Sequence, residues 1–346
     1  LGEALDVTGQ TARAGEMIRQ GWIEGSFDAA TELAIVQRDG SFLTPDVDRR
    51  RLDNLLWRGL LGDARREIAR VDDQTQRVAA ARIALQSNNA RARQAVMPVA
   101  GSDDPGLLFD RAHAARIAND DATAEALLMR VRPAGPARDH TGRWWNEVNV
   151  VARDALAAGR ASTAYALLER DGLTDGDAFA DSEFLAGFIA LRFLKDTHAA
   201  LAHFQRLDAG VSRPISKSRA YYWEGRSYEA LGDVAQAVER YRLAAALPET
   251  FYGQLALTRI RIAPVLHLND TPVEVAPEAE FDADPYAPAM RVLGDLGQQV
   301  WLRIFATHDS ELNPAPRHLR QLMQVMTEWG FRAISVRLAK AASYSG

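Results

Sequence analysis

Apolar residues recur three and four positions apart along this chain to about Ile262, with little strict alternation, and that spacing confines it to packed amphipathic helices. Short polar breaks interrupt the pattern at Leu61-Gly62-Asp63, Ser87-Asn88-Asn89, Asn119-Asp120-Asp121, Ala158-Gly159-Arg160, Lys195-Asp196 and Leu231-Gly232-Asp233. From Gly62 through Asn88, Asp120, Gly159, Asp196 and Gly232 the steps are 26, 32, 39, 37 and 36 residues. One hairpin cannot bury its apolar face alone, so a persistent period of this size points to hairpins stacked on one another. The expected fold is all-α: a right-handed superhelix of tetratricopeptide-like helical hairpins over 1–262, followed by a small helical domain.

The clearest unit runs from Ser218 to Pro248, where Gly225, Tyr228, Gly232, Ala237, Tyr241 and Ala244 keep tetratricopeptide spacing. Gly225 and Ala237 are small where two helices cross, Gly232 closes the first helix, Asp233 caps the second and Pro248 stops it. On the first helix Ala220, Trp223, Ser227, Ala230 and Leu231 form one apolar face. On the second, Val234, Ala237, Val238, Tyr241, Ala244 and Ala245 form a stripe. Gly187 and Ala199 stand 38 residues before Gly225 and Ala237, which predicts an earlier copy of the hairpin. Between 263 and 288 the prolines Pro264, Pro272, Pro277, Pro285 and Pro288 predict a linker. Helical spacing resumes over 289–346, with Leu319, Leu322, Met323, Met326 and Trp329 on one stripe.

Several classes of function lose their support. The net charge is −5, but six acidic residues, Asp270, Glu274, Glu278, Glu280, Asp282 and Asp284, lie in the linker. Elsewhere arginine is scattered among acidic neighbours, so no basic face for nucleic acid stands out. There is no cysteine, which removes disulfides and thiolate chemistry. No apolar run reaches the ~18 residues of a membrane span, and Leu1 reads as a processed or trimmed start. The histidines His113, His140, His198, His203, His267, His308 and His318 include no pair at helical spacing, so a metal is not expected. No Gly-x-x-x-x-Gly-Lys loop and no Gly-x-Ser-x-Gly elbow is present, so no nucleotide cofactor and no catalytic triad are predicted. The aromatic groups Trp144-Trp145, Tyr221-Tyr222-Trp223 and Phe251-Tyr252 read first as packing residues, with stacking on sugar rings as the alternative.

Several segments together resemble the superhelical domain of the soluble lytic transglycosylases. They are Phe184 to Arg192, Ala200-Leu201-Ala202-His203-Phe204, Pro214 to Ala220, Tyr222-Trp223-Glu224-Gly225-Arg226 and Phe251-Tyr252-Gly253-Gln254-Leu255-Ala256. Arg51 to Trp57 and Ala81 to Leu85 resemble the same family's earlier hairpins, and Ala333 to Ala342 the helix before its catalytic domain. The resemblance implies a periplasmic protein of peptidoglycan metabolism. Its parent enzyme would be a lyase that cleaves the bond between N-acetylmuramic acid and N-acetylglucosamine and leaves a 1,6-anhydro end. In that family one glutamate acts as acid and then base, on a lysozyme-like domain that follows the helices. That domain is expected to be absent from these 346 residues, so no catalytic, cofactor-binding or metal-binding residue is assigned. The implied partners are glycan strands and the catalytic domain itself, and the rival reading is a tetratricopeptide-like adaptor holding a protein or peptide in its groove.

One stretch imitates the family's catalytic motif: Asp309-Ser310-Glu311-Leu312-Asn313-Pro314, followed by Leu322-Met323-Gln324. Its acid is an aspartate, and Gln321 stands where a glycine is required. The plainer expectation is a helix start, with Asn313 as N-cap and Pro314 as first helical residue.

Overall fold

The computed structural model describes residues 10–88, 92–131, 141–263 and 278–342. Among them it is all-helical and contains no strand. The chain divides into two compact units, one of residues 1–212 with 216–244 and one of 213–215 with 245–346. Most of the expected linker, 264–277, lies outside the described residues. No described helix is long and apolar enough to cross a membrane.

The first unit begins with α1 (Thr11–Glu24), α2 (Ala29–Asp39), α3 (Pro45–Trp57), α4 (Leu61–Glu67), α5 (Asp73–Gln86) and α6 (Ala92–Val96). It continues with α7 (Pro105–Ile117), α8 (Asp121–Arg130), α9 (Thr141–Ala157), α10 (Ala161–Leu168), α11 (Gly176–Ile189), α12 (Thr197–Gly210), α13 (Pro214–Leu231) and α14 (Val234–Ala245). Their starts follow local chemistry: Asp28, Thr44, Asp72, Asp104, Asp120 and Asp196 each accept a hydrogen bond from a backbone N–H of the first turn. Helix α7 packs along α8, α9 along α10 and α11 along α12, as hairpins do. A core of Trp57, Phe109, Leu128, Trp144, Val148, Leu167 and Ile189 joins successive pairs.

Breaks fall where a residue adopts positive φ: Asn88, Asn119, Gly159, Lys195 and Gly232. The first expected break is displaced. Gly59 (φ +72°) closes α3, and Gly62 lies inside α4, because Leu60 N–H already returns to the Leu55 carbonyl.

The hairpins α11–α12 and α13–α14 repeat one another with a one-residue correction. A Cβ on Gly187 would lie 2.7 Å from the Phe204 ring, and one on Gly225 would lie 2.6 Å from the Tyr241 ring. These glycines are 38 residues apart, yet the N-cap residues Asp196 and Asp233 are 37 apart, and so are the buried pairs Ala200 with Ala237 and Phe204 with Tyr241. Ala200, not Ala199, is therefore the counterpart of Ala237. The extra residue sits in a π-turn, Ala190–Leu194, which widens the end of α11 and hands over to Lys195 in the left-handed region. The predicted apolar faces are also trimmed: Ala230, Leu231 and Val234, beside the turn, are exposed.

The second unit holds α15 (Phe251–Arg259), α16 (Glu278–Asp282), α17 (Ala287–Asp295), α18 (Gln299–Leu312), α19 (Pro316–Glu328) and α20 (Arg332–Ala342). Phe281, Met290, Leu302, Ala306, Leu322, Met326, Ile334 and Leu338 make its core.

Candidate functional site

A cleft of about 440 Å³ lies in the first unit between α3, α5 and the turn before α7. Leu52, Leu56, Val78 and Ala79 make its apolar part, while Asp53, Gln74, Thr75, Ser102 and Asp104 supply polar groups and Arg49 and Arg50 supply cations. At its base Arg82 is almost fully buried, donating from Nη1 to Asp53 Oδ1 at 2.6 Å and from Nε to Asp110 Oδ2 at 2.9 Å. Burial works against its charge, but Asp110, Asp53 and Asp104 more than offset that cost. Helix α7 comes this close only because residue 106 is glycine: a Cβ there would lie 2.2 Å from the guanidinium.

The same ion pairs tie consecutive hairpins together. Asp110 also meets Arg143 Nη2 at 3.3 Å, and Arg143 and Gln86 donate to the carbonyls that end α3. The α3–α5–α7–α9 interface thus carries alternating charge: Asp53, Arg82, Asp110, Arg143. Its walls are mixed donors and acceptors beside an apolar strip, a surface suited to a hydroxyl-bearing ligand that also carries an acidic group.

The aromatic residues singled out in the sequence divide. Trp144, Trp145, Tyr222 and Trp223 are buried, Trp144 donating Nε1–H to the Asp171 carbonyl at 3.0 Å, so they pack the unit. Phe251, 69% exposed at the start of α15 and edge-on to Tyr252, is the most exposed member of the three groups.

His113, His203 and His318 meet carboxylates, while His140 and His267 lie outside the described residues. His113 Nδ1 lies 2.7 Å from Glu147, which Arg116 also binds, and His203 Nδ1 lies 2.7 Å from Glu183, which Arg206 also binds. Burial raises both glutamates, but hydrogen bonds from the histidine and arginine leave each below the ordinary carboxylate value. On its other side His203 Nε2 meets Tyr165 Oη at 2.9 Å and Glu169 at 3.0 Å. These are ion clusters that join helices, each with one buried or half-buried glutamate and partners that reach the surface.

The motif-like stretch does not start a helix. Asp309 lies in the last turn of α18, Asn313 is the C-cap, and α19 begins at Pro316 after Ala315. Proline at the first helical position is the expected chemistry, but the residue is Pro316 and not Pro314. Asp309 is buried at 1% exposure, with His318 Nε2 3.0 Å from its Oδ2. That hydrogen bond raises His318 above its ordinary value against the opposing effect of burial. Asp284 joins them, the ligand atoms of all three lying within 4.8 Å of one another. Neither helical spacing nor a motif marks this cluster, because its members come from a turn, the end of α18 and the start of α19.

No protein-family model matches the chain, and no curated protein matches it.

Proposed function

We propose that this chain is the non-catalytic helical scaffold of a periplasmic peptidoglycan lytic transglycosylase, supporting a lysozyme-like catalytic domain and guiding glycan strands. The observation that carries the reading is the hairpin pair α11–α12 and α13–α14. Where the resemblance is strongest, the glycines Gly187 and Gly225 seat the rings of Phe204 and Tyr241 in equivalent positions. Stacked hairpins of this type present an extended surface more than one reaction centre, which suits a strand-guiding role. The α3–α5 cleft supports the same reading. Its carboxylates, amide, hydroxyls and arginines offer hydrogen bonds of both senses to sugar hydroxyls and to the acidic groups of a peptidoglycan unit.

The test is cosedimentation of the purified chain with cell-wall sacculi and analysis of the released products. The expected result is retention on sacculi, weakened in the double variant Arg49→Ala, Arg50→Ala, without release of anhydromuropeptides. Release that depends on Asp309 would refute the scaffold reading. Retention on immobilised peptides but not on sacculi would favour the adaptor.

A further inference from the structure

We propose that Asp284, Asp309 and His318 form a binding site for a divalent transition metal, best suited to Zn²⁺. Most buried acids of this protein meet an arginine: Asp48, Glu67, Asp110, Glu125 and Glu147 each meet at least one, whereas Asp171 is held by the Ser182 hydroxyl and the Leu173 N–H. Asp309, equally buried, has no lysine or arginine partner among the described residues, and neither has Asp284. Two arginines of this unit pair with other acids, Arg291 with Asp282 and Arg317 with Glu280. Two carboxylates, one buried and one half-buried, therefore lie beside a single imidazole with no lysine or arginine on them among the described residues. The buried carboxylate of Asp309 is stabilised by a cation that joins it.

The donor set and geometry match a metal of zinc type. One imidazole nitrogen and two carboxylate oxygens are its ordinary ligands, and three protein ligands leave a fourth position open to water. Bonds of about 2.0–2.2 Å place two tetrahedral ligands about 3.4 Å apart. His318 Nε2 and Asp309 Oδ2 are already 3.0 Å apart, and no pair of ligand atoms in the cluster exceeds 4.8 Å. Backbone support is present for one ligand, since the Tyr286 N–H donates to Asp284 Oδ1 at 2.7 Å. Mg²⁺ and Ca²⁺ need six or more oxygen ligands, so three side chains that include a histidine are a poorer match for them.

The site is tested by titrating the chelator-treated full chain with Zn²⁺ in a calorimeter, and by following its melting temperature with and without Zn²⁺. One saturable equivalent and a higher melting temperature are expected. Asp284→Asn and His318→Ala, at half-buried positions, should each weaken binding about 100-fold or more, beyond the roughly 10–100-fold typical of losing a supporting hydrogen bond. Far-UV circular dichroism verifies that both variants are folded, and His113→Ala, in the other unit, should bind Zn²⁺ as the parent does. Absence of a saturable equivalent, or Zn²⁺ binding unchanged in both site variants, overturns the proposal.

Discussion

Replacing Glu224 by glutamine should make the protein more stable at neutral pH and leave it almost unchanged in acid. Glu224 is 1% exposed on α13, and neither carboxylate oxygen has a well-formed hydrogen bond. Its ion partner among the described residues is Arg240, with Nε 3.2 Å away. Burial pushes its pKa from 4.5 up to about 7, Arg240 and Lys217 opposing the rise and Asp208 adding to it. A group whose folded pKa is raised prefers the protonated form in the fold. The cost of holding it charged is therefore absent below about pH 4.5, grows between 4.5 and 7, and is complete above 7. A displacement from 4.5 to about 7 corresponds to up to about 3 kcal/mol. Glutamine keeps the shape and removes the charge, although Arg240 then loses its counter-ion, so the net gain falls below that ceiling. The assay is urea denaturation of parent and Glu224→Gln at several pH values between 4.5 and 8. The stability difference should move in favour of glutamine by about 1–3 kcal/mol across that window. Glu67 and Asp171, raised to about 7 and about 6, contribute the same sign to both proteins and cancel in the difference. A difference that is flat with pH, or that favours glutamate more as pH rises, would refute the reasoning.

Other substitutions test the packing and the ion pairs. Gly225→Leu should destabilise by about 1–3 kcal/mol or more, because its Cβ alone would press on the buried Tyr241 ring, and a melting curve checks this. Gly21→Ala, in a helix interior with open space around the new methyl, should instead raise stability by up to about 1 kcal/mol. Arg51→Met should cost about 3–5 kcal/mol in denaturant unfolding, since it leaves the buried Glu32 and Glu67 without their shared guanidinium. Lys195→Gly should stabilise by several tenths of a kcal/mol to about 1 kcal/mol by relieving the left-handed conformation (φ +59°) after the π-turn, seen as a higher melting temperature.

The helices and most of their ends were determined by the sequence alone, because they rest on contacts within one turn. The apolar spacing, the aspartate caps at Asp120, Asp196 and Asp233, and turns at Asn88, Asn119, Gly159 and Gly232 all belong to this local class. Where several local signals compete, spacing alone did not choose between them. The α3–α4 turn closes at Gly59 and not at Gly62, and α19 starts at Pro316 and not at Pro314. The π-turn at Ala190–Leu194 was equally hidden, since its sequence is ordinary helix and only the seating of Phe204 against Gly187 requires the extra residue. The charged pairs lay further out of reach. Arg82 with Asp110, Arg116 with Glu147 and His318 with Asp309 join residues on different helices, so spacing along one helix carries no sign of them. Helix formation is decided over three or four residues, whereas a buried charge or a ligand set is decided by which helices meet, and that information exists only once the hairpins have packed.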